Sequence, residues 1–300
     1  MMETGKADRV MRNSLDSFGA TRSGCSPSSR RILSLVAIHL VILLSPPWAG
    51  AQELGANLRG DAGYLGYTVW EDAKTIARAP LEIGRIADIT PEQLLIAALA
   101  VGSVGGMIAL DGTIRERAKG IDDGSALALQ YAGFSLVSGG LVALYGAGLW
   151  TDNEPMRHAA LSGLESTVVA WGIAGLMKVG FGRERPDANK GPYAWFQGGR
   201  SFVSADTTPA FALAEAVAAG FDHRWEVALP AYVAAAAVGV GRMGRDRHWA
   251  SDVLASAFLG VGTTKLFNYM HRRREEAAVQ ISVSPQLAPR ELGLRLDVRY

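Results

Sequence analysis

The stretch GRMGRDRHWASD, residues 241–252, joins an apolar segment that ends near Arg242 to another that begins near His248. If His248 starts a helix, Asp252 lies four residues later on the same face. Its carboxylate can then accept a hydrogen bond from one imidazole nitrogen and leave the other nitrogen to face a substrate, as in a catalytic pair. A His–Asp pair on a helix surface is also common without catalysis, so the pair is interpreted together with other loops.

A basic loop lies upstream, in the stretch KVGFGRERP, residues 178–186. Lys178 ends an apolar segment, and Arg185 stands directly before Pro186, which restricts the backbone. Taken alone, this pattern is also typical of an ordinary basic helix end with a solvated loop.

A third loop, RSFVSAD at residues 200–206, leads into another apolar segment. Ser204 lies at the start of a predicted helix, where free backbone N–H groups attract anions, and its hydroxyl can cap the helix or hold a phosphate oxygen. Together the three loops predict that Lys178, Arg185 and Arg242 converge on one tetrahedral oxyanion, with His248 at its apex.

The apolar segments predict an all-α helical bundle over residues 91–274. Its helices are expected at about 91–110, 126–150, 156–179, 209–219, 225–240 and 249–270. An amphipathic helix over 64–83 forms most of a predicted N-terminal extension, residues 52–90. Residues 277–300 change to alternating apolar and polar positions, which predicts a short β-hairpin packed on the helical body.

The N-terminus has the pattern of an export signal. Arg30 and Arg31 precede a short apolar run and the small residues Ala49-Gly50-Ala51, which predicts a signal peptide over 1–51 and a location in the periplasm or cell envelope. An uncleaved membrane anchor is the alternative. The single cysteine, Cys25, lies before the predicted cut, so the mature chain would have no disulfide and no cysteine metal site.

Charge argues against nucleic acid as a partner, but hydrophobicity does not decide whether the protein is soluble in the periplasm or lies in a membrane. The net charge of +1 provides no general field for nucleic acid. The helices near 209–219 and 225–240 are short for a membrane span. If the helices crossed a membrane, the export signal would place the loop after Lys178 in the cytoplasm. The basic cluster at 271–274, expected on the cytoplasmic side, would instead place that loop outside. The sequence therefore favours a periplasmic bundle, with membrane association and an integral membrane protein both left open. The oligomeric state cannot be derived.

The three loops together resemble the type 2 phosphatidic acid phosphatase and vanadium haloperoxidase superfamily. That family carries the motifs KxxxxxxRP, PSGH and SRxxxxxHxxxD on an all-helical bundle. The first and third motifs are present here in Lys178, Arg185, Pro186, Arg242, His248 and Asp252. Gly241 replaces the serine of the third motif, and the resemblance covers roughly residues 90–270.

The resemblance implies a phosphatase that needs no metal and no cofactor. In the family, the histidine at the position of His248 attacks phosphorus and forms a phosphohistidine, oriented by the aspartate at Asp252. The phosphate oxygens would be held by four side chains, those of Lys178, Arg185, Ser204 and Arg242. The implied substrate is a phosphate ester, either a lipid phosphate, which Trp195 and Trp249 weakly favour, or a small soluble phosphate. The residues show no carboxylate cluster suited to a divalent ion.

The middle motif departs from the family, because VSAD stands at residues 203–206 where PSGH is expected. Asp206 therefore occupies the position of the histidine that protonates the leaving oxygen and later activates water. An aspartate has an ordinary pKa near 4, is ionised at neutral pH, and cannot then donate a proton. Losing general acid catalysis typically costs about 100- to 10,000-fold in rate.

Three readings follow from Asp206. The first is a phosphomonoesterase with weakened or acid-shifted activity. The second is a catalytically inactive relative that binds a phosphate group or has a structural role in the envelope. The third, a haloperoxidase, is disfavoured because the missing histidine matters there too. His223 is expected at the opposite end of the helix and does not replace the missing group.

Overall fold

The computed structural model describes the backbone of residues 51–78, 90–278, 280–288 and 291–299. Seven helices form in this part of the chain: α1 (Ala51–Arg78), α2 (Pro91–Ala118), α3 (Asp123–Trp150), α4 (Glu154–Phe181), α5 (Thr207–Gly220), α6 (Trp225–Gly244) and α7 (Ala250–Ala278). The predicted all-α fold is confirmed. The predicted signal peptide lies outside the described residues except for Ala51, so export stays a prediction.

Helices α2 and α7 extend well beyond their predicted C-terminal ends. The segment from Arg115 to Ala118 is the last turn of α2, which was predicted to end near residue 110. The basic cluster at 271–274 lies inside α7, which continues to Ala278. Both segments consist largely of Arg, Glu and Ala, which are strong helix formers, so charge alone did not mark a helix end.

The short helix α5 forms the centre of the bundle. Its alanines at 210, 212, 214, 216 and 218 are almost completely buried. Small side chains let the surrounding helices approach closely, and an added Cβ at Gly163 of α4 would lie only 2.3 Å from the Cβ of Ala216. Val137, Leu144 and Val238 complete this core.

The order of the helices brings the three loops to one end of the bundle. Successive helices α4 to α7 run antiparallel, so the end of α4, the start of α5, the end of α6 and the start of α7 lie together. The last turn of α2 reaches the same end, because Arg115 donates two hydrogen bonds to the carboxylate of Asp246, at 2.6 and 2.5 Å.

The C-terminal backbone contains two antiparallel strands. Strand β1 (Gln280–Ala288) pairs with β2 (Glu291–Arg299), with Gln280 opposite Arg299 and Ala288 opposite Glu291. Their packing on the helical body, expected from the sequence, stays a prediction.

Much of the helical surface is apolar. Four segments are long and apolar enough to cross a membrane: Leu94–Ala118, Asp123–Trp150, Glu154–Ala188 and Trp225–Gly244. On α2, the side chains of Leu95, Ile96, Leu99 and Val101 are 58–74% exposed. An apolar helix that the protein itself leaves uncovered is compatible with lipid contact. The argument that the helix near 225–240 is too short was wrong, because α6 has 20 residues.

Candidate active site

His248 and Asp252 form a buried pair at the start of α7. The Nδ1 atom of His248 lies 3.6 Å from Oδ2 of Asp252, slightly beyond hydrogen-bond range. Helix α7 begins at Ala250, two residues later than the sequence suggested, and Oδ2 also accepts a hydrogen bond from the Trp249 backbone N–H at 3.0 Å. The predicted pairing is therefore present, with Nδ1 facing the carboxylate and Nε2 on the opposite side of the ring.

The carboxylate of Asp252 is held from both sides. Its Oδ1 accepts a hydrogen bond from Arg183 at 2.5 Å, and its Oδ2 accepts one from the Ser201 hydroxyl at 2.5 Å. All three side chains are fully buried. This fixed carboxylate limits the orientations that the imidazole of His248 can adopt.

The protonation states of this pair suit a nucleophile and its orienting group. Burial lowers the pKa of His248, and this effect outweighs the attraction of Asp252, so the imidazole stays neutral at neutral pH. Burial raises the pKa of Asp252, but contacts with His248, Arg183 and Ser201 outweigh it and hold the pKa below its ordinary value. A neutral imidazole thus faces a charged carboxylate.

Three cations gather beside this pair. Lys178 donates a hydrogen bond from Nζ to the backbone oxygen of Arg200 at 2.9 Å. Its charge interacts with those of Arg185 and Arg242, and the charges of Lys178 and Arg242 also act on His248. The cations predicted from two separate motifs therefore lie together, and their binding of a phosphate stays a prediction.

Ser204 is fully buried at the entry to α5. Its Oγ accepts hydrogen bonds from the backbone N–H of Thr207 at 3.2 Å and from the Thr207 hydroxyl at 2.9 Å. Its own backbone N–H donates to the hydroxyl of Ser256 on α7 at 2.8 Å. Ser204 therefore caps α5 and connects it to α7.

Asp206 lies at the N-cap position of α5, and its side chain is 41% exposed. Its Oδ2 is 3.2 Å from Nε of Arg242, an ion pair whose orientation does not make a hydrogen bond. The aspartate that replaces the expected histidine thus stands among the cations and partly neutralises one of them.

Two other departures from the family motifs have a packing explanation. An added Cβ at Gly241 would lie 2.4 Å from the backbone oxygen of Ala126 and 2.8 Å from the backbone nitrogen of Gln130. The close approach of α3 therefore leaves no room for a serine side chain. Val203, which stands in place of proline, is fully buried against Ala174, Phe202 and Ala255, so packing fixes this part of the loop.

Arg183 is a central residue that sequence reasoning missed. Its guanidinium contacts Asp252 and donates further hydrogen bonds to Asp111 at 2.7 Å and to the Ser251 hydroxyl at 2.8 Å. It also lies over the rings of Trp195 and Trp249, at 4.4 and 5.5 Å. These tryptophans therefore pack on Arg183, which removes the weak argument that they bind lipid.

Asp111 extends the network to α2. Its carboxylate accepts hydrogen bonds from the backbone N–H of Ser251 at 2.8 Å and from the Ser251 hydroxyl at 2.6 Å. The sequence did carry a signal, since a lone aspartate in an apolar helix must find a partner if it is buried. Asp111 thus ties α2 to the start of α7.

The other histidines in the described part of the chain lie away from this site. His223 follows the far end of α5 and lies 2.9 Å from the buried carboxylate of Glu215. His158 stacks on Tyr64 near the start of α4, with ring centroids 3.5 Å apart. His271 lies deep in α7 rather than after it. His223 therefore does not reach the position of Asp206.

We expect Arg183→Ala to lower the free energy of unfolding by about 3–5 kcal/mol, because it leaves Asp111 and Asp252 buried without their cation. Denaturant titration of the detergent-solubilised protein measures this. Arg224→Ala is the matched control, since Arg224 is 71% exposed in a loose ion pair with Glu226 and should change stability little. Equal losses in both variants would contradict a special role for Arg183.

Comparison with known families agrees with the geometry. The sequence model of the PAP2 superfamily matches residues 159–276. This range contains every predicted site residue, whereas α2 with Asp111 and Arg115 lies outside it. Comparison with curated proteins and with solved structures gives no match. Residues 159–276, which carry the buried His–Asp pair and its surrounding cations, are therefore similar to the PAP2 superfamily.

Proposed function

We propose that the protein is a membrane-associated phosphomonoesterase that transfers a phosphoryl group first to His248 and then to water. The observation that carries this proposal is the buried imidazole of His248, which faces the clamped carboxylate of Asp252 beside a cluster of cations. The match of residues 159–276 to the PAP2 superfamily supports phosphatase-type activity. The mechanism, the substrate and the consequence of Asp206 are inferences from the geometry.

In the first step, Nε2 of His248 attacks phosphorus and the bond between phosphorus and the leaving oxygen breaks. The imidazole gains positive charge, which the carboxylate of Asp252 stabilises through Nδ1–H. The gap of 3.6 Å between these groups should shorten in the substrate complex, as catalytic contacts often do. Lys178, Arg185 and Arg242 neutralise the charge on the phosphoryl oxygens.

The helix start supplies further donors to the same anion. Both contacts between Ser204 and Thr207 use the Ser204 oxygen as the acceptor, which leaves the hydroxyl hydrogen to donate to a phosphate oxygen. The positive end of the α5 dipole points to the same place.

Asp206 decides which substrates react quickly. In its charged form it cannot protonate the leaving oxygen, so esters with poor leaving groups react slowly at neutral pH. In acid, protonated Asp206 can give its proton to the leaving oxygen. The resulting carboxylate can then accept a proton from the water that attacks the phosphohistidine, which returns Asp206 to its initial state. At acidic pH, Asp206 can therefore serve as proton donor in the first step and as proton acceptor in the second.

A lipid phosphate is the substrate class that the surface favours. Four helices are long and apolar enough to cross a bilayer, and the site lies at one end of the bundle. The exposed side chains of Val179, Phe181, Tyr193 and Phe196 surround the loop beside Lys178. Aromatic side chains favour the membrane interface, where a lipid phosphate would be presented to the cations.

The pair of Asp206 and Arg242 favours one alternative function. The carboxylate of Asp206 pairs with Arg242, a predicted phosphate ligand, where the family has a proton-donating histidine, so the site could bind phosphate without turnover. Such a protein would bind inorganic phosphate but release none from any ester, even in acid.

Phosphate release by the full chain in detergent, from phosphatidate and from an activated aryl phosphate over pH 4–8, tests the proposal. We expect release from phosphatidate to rise as the pH falls, because acid supplies the leaving-group proton. Release from the aryl ester, which needs no such proton, should stay level through the ordinary imidazole range, because burial lowers the pKa of His248 and keeps its Nε2 free. An aryl-ester rate that falls with the ordinary imidazole titration would contradict the protonation state assigned to His248.

A further inference from the structure

A second cluster of ionisable side chains is buried where α1, α4 and α7 meet. Asp72, Glu165 and His271 are only 2–7% exposed, and one nitrogen or oxygen atom from each lies within 4.8 Å of the others. The Nε2 atom of His271 is 2.8 Å from Oδ2 of Asp72 and 3.7 Å from Oε2 of Glu165. This arrangement differs from the sequence-based expectation that no carboxylate cluster could suit a divalent ion.

The cluster is separate from the phosphatase site. Glu165 lies thirteen residues before Lys178 on α4, which is about 20 Å at ~1.5 Å per residue. Asp72 belongs to α1, which lies outside the family match. None of the three residues belongs to the motifs that define the phosphate site, so the mechanism above does not explain their burial together.

The carboxylate of Glu165 has an oxygen that makes no hydrogen bond to any residue that the structure describes. In the described part of the chain, the buried Oε2 of Glu165 has no donor within hydrogen-bond geometry. Leaving a carboxylate oxygen buried and unsatisfied is costly, and such groups normally coordinate an ion or accept hydrogen bonds. Oε2 lies 3.7 Å from Nε2 of His271, so a ligand bound between these two atoms would give Oε2 the partner that it lacks.

We propose that Asp72, Glu165 and His271 bind a divalent transition-metal ion of the zinc type. Ligand atoms that surround a tetrahedral zinc ion at about 2.0–2.2 Å lie roughly 3.3–3.6 Å apart. The separations of 2.8 and 3.7 Å bracket this range, so small side-chain movements complete the site. An imidazole nitrogen with two carboxylates favours zinc over magnesium or calcium, which prefer oxygen ligands.

The surroundings provide the remaining requirements of such a site. A cavity of about 330 Å³ borders Asp72 and Glu165, with Val69, Leu164 and Phe267 among its lining, and it leaves space for a fourth ligand. Arg274 pairs with Oδ1 of Asp72, which leaves Oδ2 for the ion. The ion would join α1 to α4 and α7 and so fix the N-terminal helix on the bundle.

Zinc binding by the untagged full chain in detergent tests this site. After treatment with a chelator, the protein is dialysed against Zn²⁺ and its metal content is measured by mass spectrometry. We expect one tightly bound Zn²⁺ per chain and an increase in melting temperature of about 5 °C at saturating zinc. Excess Mg²⁺ should not displace the ion, and Co²⁺ should give the visible absorption of a tetrahedral complex.

Two variants locate the ion. Glu165→Gln and His271→Ala should each lower zinc affinity at least about tenfold and abolish the zinc-dependent increase in melting temperature. Glu215→Gln and His223→Ala are matched controls, because Glu215 and His223 form a different carboxylate–imidazole contact on α5 and the following turn. Both controls should keep the wild-type stoichiometry.

Wild-type protein alone can overturn the inference. Absence of stoichiometric Zn²⁺ in folded, monodisperse wild type would exclude the site, even if the variants do not fold. Undiminished zinc binding in Glu165→Gln would exclude these ligands.

Discussion

His248→Ala abolishes phosphate release from every substrate. The variant lacks the atom that receives the phosphoryl group, and loss of a catalytic nucleophile commonly lowers kcat by about 10⁴- to 10⁶-fold. The remaining cations can still bind phosphate, so the affinity for inorganic phosphate should fall far less than the rate. The combination of intact binding and lost turnover distinguishes a nucleophile from a residue that only supports the pocket.

Direct detection of the phosphohistidine completes this test. Wild-type protein mixed with a radiolabelled aryl phosphate and quenched in alkali, which preserves phosphohistidine, should carry label on His248. His223→Ala is the matched control, because His223 lies at the far end of α5 against Glu215 and should retain both label and rate. A labelled His248→Ala variant, or one with wild-type rates, would refute the assigned nucleophile.

The fold, and the convergence of the predicted site residues at one end of the bundle, could be predicted because both depend on local patterns. Apolar periodicity indicated the bundle helices, and fixed spacing within each motif placed Lys178 with Arg185 and His248 with Asp252. Antiparallel helices of the bundle then brought the separate loops to one end. The helix ends at Ala118 and Ala278 were missed because helix-forming charged residues carry no stop signal.

The supporting residues could not be predicted in the same way. Arg183 lies between two motif cations and is indistinguishable by sequence from a solvated loop arginine, yet it is fully buried between Asp111 and Asp252. Its role depends on Asp111 of α2, which lies 72 positions before Arg183 in the sequence. Such long-range contacts are properties of the packed bundle.

The buried cluster on α1, α4 and α7 illustrates the same point more strongly. Asp72 and His271 are 199 positions apart and share no motif spacing. The helix predicted from the sequence ends at residue 270, directly before His271, whereas α7 continues to Ala278. Only the continuation of α7 places His271 beside Asp72 and Glu165.

Asp206→His restores the missing proton donor and raises the rate at neutral pH. For phosphatidate, which has a poor leaving group, we expect kcat at pH 7 to increase by about 100- to 10,000-fold, the usual contribution of a general acid. The activated aryl phosphate should gain much less, because its leaving oxygen needs no proton. The difference between the two substrates is the diagnostic result, since improved folding or phosphate binding would raise both rates alike.

The variant Asp206→Asn distinguishes the effect of the missing proton donor from the effect of the negative charge on phosphate binding. Asparagine removes the negative group that lies 3.2 Å from Nε of Arg242, so this variant should bind inorganic phosphate more tightly than wild type. It carries no titratable proton, so its rate with phosphatidate should stay low at every pH and lose the increase in acid. If Asp206→Asn instead matched Asp206→His at pH 7, the defect of the natural protein would be repulsion of the phosphate and not a missing acid. If neither variant gained activity while both bound phosphate, the pocket would have lost more than one catalytic group, and the phosphate-binding function would replace the phosphatase.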